Sequence, residues 1–255
     1  MANKILSAGL LGAAILLNSC AEMKTPLSCD LLGDGLLGWQ QVGGKPGGWG
    51  LDDGILYPLG DPLRDTKGGH GGWLATNQEY ADFILELEFK CREASPSGVP
   101  LRGNSGVFIR APLEGDPAYM GMEIQISFDP PVRRRIDGAQ SAWGCLVADG
   151  LDDYADTYSN LRPEQLTASL YGVQAPSERI TKSGGSRNQW QKMVITCKGP
   201  KVQVIVNGKK VVDTSLEYYS HMYDKHPGLT RTSGYVGLQD HTGRVEFRNV
   251  RIRQL

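Results

Sequence analysis

The chain of 255 residues has almost no excess of either charge, since 27 Lys and Arg face 28 Asp and Glu for a formal net charge of −1. Nucleic-acid binding needs a basic face, so this balance argues against that class of partner. A glycine-rich dinucleotide fingerprint is also lacking, which argues against a bound nicotinamide. Helical periodicity is scarce, and neither an internal repeat nor a low-complexity linker divides the chain. One domain is therefore the simplest interpretation.

What the sequence does contain is a succession of strands separated by turns. The segment FILELEFKC at 83–91 alternates apolar and charged residues, which predicts a strand with one wet face. Gly199-Pro200 and Asn207-Gly208 predict two tight turns that join three strands across 190–213. In the last strand the apolar phase switches near Arg248-Asn249, which predicts a bulge there or burial on both faces. Strands without helical crossovers indicate an all-β sandwich or jelly roll.

The N-terminus predicts export and a lipid anchor. Lys4 precedes the apolar run ILSAGLLGAAILL, which is too short to cross a bilayer comfortably. The LNSC that ends at Cys20 resembles the lipobox of bacterial lipoproteins, in which the cysteine becomes the lipidated first residue. We therefore expect a signal peptide at 1–19, a tether at 20–30 and a place at the bacterial cell envelope, periplasm-facing or at the outer membrane. A core helix or a plain secretory signal is the alternative.

An exported chain meets an oxidising compartment, where cysteines pair. Beyond Cys20 the sequence has Cys29, Cys91, Cys145 and Cys197, which can pair in three ways. Cys91 and Cys197 each end an alternating strand, so that pair is the first expectation. Buried free thiols are the alternative, and the spacing matches no zinc site.

The segment MEIQIS, Met122–Ser127, carries the most informative polar pattern. Side chains on a strand alternate between faces, so one face is apolar and the other holds Glu123, Gln125 and Ser127. Glu123 is thus either a solvent-facing acid or the working acid of a site. An amide at Gln125 leaves this strand without the pair of carboxylates that ordinary glycoside hydrolysis uses.

Several segments together resemble one family, the 3-keto-disaccharide hydrolase domain family, over 31–255. The resemblance implies a concanavalin A-like jelly roll of two curved antiparallel sheets with a sugar site on the concave face. The strand at Met122–Ser127 is followed by an additional segment, 127–150, which predicts an inserted loop that is either a lid or a solvated surface loop. The segments that carry the resemblance are YADFILELEFK, GNSGVFIRA, GDPAYMGMEIQI, LDDYADTYSNLRPEQLTASLYG, NQWQKMVITCKGPKVQVIVNGKKVVD, HPGL and SGYVGLQDHTGRVEFRNVRI.

The same resemblance implies an enzyme that acts on sugars already oxidised to a ketone at C3. A base removes the acidified proton at C2, the group at C1 leaves by β-elimination, and water adds to the enone. The ketone would come from a separate sugar 3-dehydrogenase, so that enzyme is the expected partner upstream. The alternative is a non-catalytic, lectin-like carbohydrate-binding module, for which Trp73, Trp143 and Tyr119 offer stacking surfaces. A purely structural envelope protein would leave the polar strand face unexplained.

The residues for this chemistry follow from the matched motifs. Glu123 and His241, which ends the LQDH motif, are the predicted acid-base residues, because histidine titrates near neutrality. Asp152 and Asp153 are predicted to bind sugar or a divalent cation, with calcium, magnesium or manganese favoured by oxygen ligands. The predicted substrate-binding residues are Asn104, Arg110, Gln125, Gln239, Tyr171 and Trp143.

Overall fold

The structure, a computed structural model, describes residues 28–59, 72–92, 103–127, 161–180, 188–241 and 244–255. The predictions for the leader and Cys20, for Trp143 and for Asp152 and Asp153 lie outside these ranges, as does nearly all of the predicted insertion. Within the described ranges, no helix is long and apolar enough to cross a membrane.

Thirteen strands and one short α-helix are found in the described part of the chain. The helix, α1, covers Pro117–Met120. The strands are β1 (Cys29–Asp30), β2 (Trp39–Val42), β3 (Trp49–Asp52), β4 (Ile55–Pro58), β5 (Trp73–Tyr80), β6 (Phe83–Cys91), β7 (Asn104–Ala111), β8 (Met122–Ser127), β9 (Gln191–Lys198), β10 (Lys201–Val206), β11 (Lys209–Ser215), β12 (Gly234–Gln239) and β13 (Val245–Gln254).

These strands form the predicted all-β jelly-roll sandwich of two antiparallel sheets. The larger sheet has the order β11-β10-β9-β6-β13-β4-β3, with β1 paired to β13. The smaller sheet has the order β2-β5-β12-β7-β8. The pairing of β1 begins at Cys29, so the folded domain starts two residues before the predicted boundary at Leu31.

The inner faces of both sheets make one apolar core. Alternate residues of β6 are buried, as the sequence predicted, and the same holds for the apolar face of β8. Met122, Ile124 and Ile126 all belong to this core. Because strand side chains alternate, Glu123 and Gln125 must lie on the opposite face of the smaller sheet.

The predicted turns and the predicted bulge are present. Asn207 and Gly208 both have positive φ, +51° and +81°, which suits the tight turn between β10 and β11. In β13 the register with β6 shifts between Arg248 and Arg251, and Asn249 has a φ of +52°. A bulge inserts one residue into a strand, and this accounts for the switch of apolar phase.

The expected Cys91–Cys197 disulfide is wrong. Cys197 pairs with Phe83 at one end of β6, whereas Cys91 closes the other end of that strand. At about 3.4 Å per residue the two Cα atoms are separated by roughly 25 Å along the strand, and a disulfide needs less than about 7 Å. The alternating pattern correctly predicted that both cysteines lie in the core. They lie at opposite ends of β6, however, and therefore cannot pair.

Candidate active site

A cavity of about 570 Å³ lies against the outer face of the smaller sheet. The strand β7 runs between β12 and β8, so three strands deliver polar side chains to the same surface. Six of the sequence-predicted site residues line the cavity: Asn104, Glu123, Gln125, Tyr171, Gln239 and His241.

Glu123 is not the solvent-facing acid that the strand pattern allowed. Its side chain is 4% exposed, and within the described residues it has no hydrogen-bond or ion-pair partner. Burial, with a smaller contribution from the negative charge of Asp116, raises the pKa of Glu123 to about 8. A carboxyl group with such a pKa can both lose and accept a proton near neutral pH.

The absence of a side chain at Gly106 makes room for this carboxylate. Gly106 pairs with Gln125 across β7 and β8, next to Phe108 and Glu123. A Cβ placed on Gly106 would lie 2.0 Å from Oε1 of Glu123 and 2.7 Å from its Cδ. The sequence motif GNSGV therefore includes a glycine that serves the site rather than a turn.

We expect Gly106→Ala to lower turnover by about 10²-fold, since displacing a reacting group by about 1 Å has an effect of that size. The free energy of unfolding should fall by about 1–3 kcal/mol, because Cγ, Cδ and Oε1 of the buried Glu123 must all move away from the added Cβ. Steady-state kinetics and urea unfolding of the same preparation measure both quantities. The control is Gly38→Ala, where an added Cβ meets nothing within 4 Å. Full activity of Gly106→Ala would contradict the placement of Glu123.

A chain of hydrogen bonds joins three of the predicted residues. Gln125 Nε2 donates to Asn104 Oδ1 over 3.1 Å, and Asn104 Nδ2 lies 3.3 Å from His241 Nδ1. Nearby, Ser105 Oγ donates to the carbonyl oxygen of Gln239 over 2.7 Å and ties β7 to the end of β12. These bonds hold His241 beside the polar face of β7.

Arg110 does not belong to the cavity, so its predicted role as a substrate clamp is wrong. Its side chain is 1% exposed. The guanidinium donates to the carbonyl oxygens of Ala81, Gly199 and Arg231 and pairs with Asp82 at 3.1 Å.

A bulge in β7 explains why the prediction for Arg110 was wrong. Phe108 pairs with Gly237 and Ala111 with Tyr235, so two residues of β7 face one residue of β12. Arg110 has a φ of +50° in this bulge. Counting alternate residues from Asn104 therefore assigns Arg110 to the wrong face, because the bulge changes the phase.

The cavity also contains residues that the sequence analysis missed. Asp116 lines it, and Asp116 Oδ1 accepts a hydrogen bond from the N–H of Ala118 over 3.0 Å as the N-cap of α1. In the sequence, an Asp before a Pro indicates only the start of a helix. The effect of Asp116 on the pKa of Glu123 becomes apparent only in the folded chain. Gln165 also lines the cavity, beyond the predicted insertion.

Aromatic side chains form part of the cavity wall. Trp73 is 4% exposed and meets the edge of Phe108 at 5.4 Å between ring centroids. An added Cβ on Gly237 would lie 2.1 Å from the Trp73 ring, so that glycine lets the indole lie flat on the sheet. Tyr119, on α1, also lines the cavity.

His226 lies directly behind this wall. Its ring centroid is 4.6 Å from that of Tyr119, and its two ring nitrogens have no hydrogen-bond partner among the described residues. Burial lowers the pKa of His226, and the charge of Asp116 opposes this effect. The HPGL motif that contains it packs tightly, since Gly228 approaches the backbone of Gly121. The motif thus supports the turn that carries Asp116 and Tyr119.

The described residues offer no group of three or more His, Cys, Asp or Glu side chains that could hold a metal ion. The predicted cation ligands Asp152 and Asp153 lie outside the described residues.

Comparison with known proteins decides the family. The model of the 3-keto-alpha-glucoside-1,2-lyase-like domain matches residues 29–253. The chain belongs to this family. The 3-keto-disaccharide hydrolase of Bacteroides thetaiotaomicron is 25% identical over 244 residues, which cover 86% of this chain and 74% of that protein. The resemblance drawn from the motifs is confirmed at the level of the family.

Two solved structures show the same fold as this chain. A candidate glycosyl hydrolase from Parabacteroides distasonis is 23% identical with a TM-score of 0.63, covering 90% of this chain and 100% of that one. A second one from the same organism is 22% identical with a TM-score of 0.58, covering 86% and 88%.

Proposed function

We propose that this protein cleaves the glycosidic bond of 3-keto-glycosides by removing the C2 proton, eliminating the group at C1 and adding water. The observation that carries the proposal is a buried Glu123 with a pKa of about 8 on the same cavity as His241. Membership of the family and the name of the Bacteroides relative agree with this chemistry.

The reaction needs few groups, and the acid-base and hydrogen-bonding side chains on the cavity are suited to it. A base takes the C2 proton, the C2–H electron pair forms a C2=C3 double bond, and the C3 oxygen becomes negative. When the C3 carbonyl reforms, the double bond moves to C1=C2, and the C1 oxygen leaves with its bonding electrons and gains a proton. Addition of a hydroxyl at C1 and a proton at C2 completes a net hydrolysis. Glu123 and His241 can exchange protons here, and a hydrogen-bond donor stabilises the enolate.

Ordinary glycoside hydrolysis is the second candidate, and Asp116 is the observation that favours it. With Asp116 the cavity holds a second carboxylate besides Glu123, as a retaining or inverting glycosidase requires. However, Asp116 Oδ1 already accepts the N–H of Ala118 to cap α1. This engagement favours an electrostatic role for Asp116 over attack on a sugar.

The proposal also defines a partner reaction. A sugar hydroxyl at C3 must first be oxidised, and the sequence lacks the dinucleotide fingerprint of the enzymes that do so with nicotinamide. A separate sugar 3-dehydrogenase is therefore proposed to supply the substrate.

The test is a turnover assay with a 3-keto-glucoside and its unoxidised parent, each with and without EDTA. We expect cleavage of the keto compound alone, and loss of cleavage in His241→Ala but not in His221→Ala, whose imidazole is exposed. Cleavage of the parent at the same rate would favour the glycosidase. Binding of unoxidised sugar without any turnover would replace both with a lectin-like module. Loss with EDTA would add a cation to the site.

A further inference from the structure

Three polar side chains on the cavity form one directed chain of hydrogen bonds, from Gln125 through Asn104 to His241. Gln125 is 5% exposed, so its amide is removed from solvent and holds a fixed position. All three residues line the cavity beside Glu123.

Strand register accounts for this arrangement. Across β7 and β8, Asn104 pairs with Ser127 and Gly106 pairs with Gln125, so Asn104 and Gln125 are diagonal neighbours on one face. On its other side β7 pairs with β12, after which His241 follows within two residues. Asn104 therefore lies between Gln125 and His241.

The direction of the chain determines where the imidazole carries its proton. Gln125 Nε2 donates to Asn104 Oδ1, which leaves the Asn104 NH₂ group to face His241 Nδ1. An amide nitrogen only donates, so Nδ1 must accept and carries no proton. A neutral imidazole then has its proton on Nε2.

We propose that Asn104 and Gln125 are positioning residues that hold His241 in the neutral tautomer with the proton on Nε2. This assignment rests on the proposed function and narrows it: His241 becomes the hydrogen-bond donor that stabilises the enolate, and Glu123 alone is the base. That Asn104 and Gln125 also bind sugar stays a prediction.

The two roles complement each other in the elimination. The Nε2–H of His241 donates to the C3 oxygen and stabilises the enolate without giving up its proton, as neutral imidazoles do in other enolisations. The carboxylate of Glu123 takes the C2 proton and returns it to the oxygen that leaves C1. Because burial makes Glu123 a stronger base than an exposed carboxylate, this division matches each group to its environment.

The test is nitrogen-15 NMR of the full-length protein with labelled histidine, at a pH where the imidazoles are neutral. The chain has four histidines, and His241→Gln assigns the signal of interest. Protonated and unprotonated ring nitrogens have well-separated shifts, so the spectrum reports the tautomer without any substrate. We expect His241 in the wild type to carry its proton on Nε2.

Two variants should reverse the tautomer by different routes. In Asn104→Asp the carboxylate can only accept, so His241 Nδ1 must carry the proton. In Gln125→Glu the new carboxylate draws the Asn104 NH₂ group and turns the Asn104 oxygen toward His241. We expect kcat to fall by about 10²-fold or more in both, with KM little changed. Asn77→Asp, at an exposed position outside the cavity, is the matched control. It should change neither the tautomer of His241 nor kcat.

A wild-type His241 protonated on Nδ1 would overturn the proposal, and so would variants whose His241 signals match the wild type. The predicted tautomer in a protein that never turns over keto sugar would instead overturn the proposed function and leave the tautomer assignment standing.

Discussion

Glu123→Gln is expected to abolish catalysis and at the same time to stabilise the protein. Loss of an acid-base residue lowers turnover by about 10²- to 10⁴-fold. The stabilisation arises because the wild-type chain must bury a group that would ionise near pH 4.5 when unfolded, whereas its pKa in the folded protein is about 8. Glutamine fills nearly the same volume and has no charge to desolvate.

The sign of the pH dependence follows from proton binding. Between pH 4.5 and 8 the folded chain holds the Glu123 proton and the unfolded chain does not, so this group destabilises the wild type progressively as pH rises. Each pH unit in that window changes the free energy of unfolding by about 1.4 kcal/mol, which gives on the order of 3 kcal/mol at pH 7. His226 has the opposite effect on the pH dependence, because its lowered pKa favours folding at higher pH. Wild type and variant both contain His226, so its effect cancels when the two are compared.

Urea unfolding of wild type and Glu123→Gln at several pH values from 5 to 8 measures this difference. The free energy of unfolding of the variant should exceed that of the wild type by a small amount at pH 5, and this difference should increase with pH. The control is Glu79→Gln, at an exposed position where the side chain accepts a hydrogen bond from Ser233. A difference that stayed constant with pH, or a variant less stable than the wild type, would show that Glu123 is ionised in the folded protein.

Arg110→Met is expected to lower the free energy of unfolding by about 3–5 kcal/mol, because a fully buried guanidinium loses several charge-assisted hydrogen bonds, each of which contributes about 1.5–3 kcal/mol. The substitution removes a guanidinium that reaches three backbone carbonyls from different parts of the chain, those of Ala81, Gly199 and Arg231. Methionine has no N–H groups, so it cannot replace the fork of donors that holds these three segments together. Turnover per folded molecule should be unchanged, because Arg110 lies outside the cavity.

The matched control is Arg251→Met, since Arg251 is exposed and its nitrogen lies 3.9 Å from Asp30. Such a surface pair contributes about 0–1 kcal/mol. Denaturant titrations and kinetics on both variants separate stability from activity. A stable Arg110→Met protein with a raised KM for keto sugar would restore the substrate clamp that the strand pattern had suggested.

These residues show what sequence reasoning can reach. The alternation in β6 and β8 predicted the buried face and the polar face, because period-two patterns depend only on strand geometry. Asn249 and the switch of phase beside it marked the bulge in β13. The bulge at Arg110 has no glycine or asparagine to reveal it, so its side chain was assigned to the wrong face.

Other features depend on contacts between segments distant in the chain. The separation of Cys91 and Cys197 follows from the register of β6 with β9, which no local pattern specifies. Asp116 has the sequence signature of a helix cap, and only the folded chain shows its charge acting on Glu123. The role of Gly106 depends in the same way on a neighbouring strand.

The most direct test of the account is the fate of the hydrogen at C2. A 3-keto-glucoside carrying deuterium at C2 would be incubated with the wild-type protein, and the products would be examined by NMR and mass spectrometry. We predict that the deuterium is lost to water during cleavage, that its removal slows turnover, and that Glu123→Gln abolishes the loss. Products that keep all their deuterium at C2 would contradict proton abstraction and with it the central claim for Glu123.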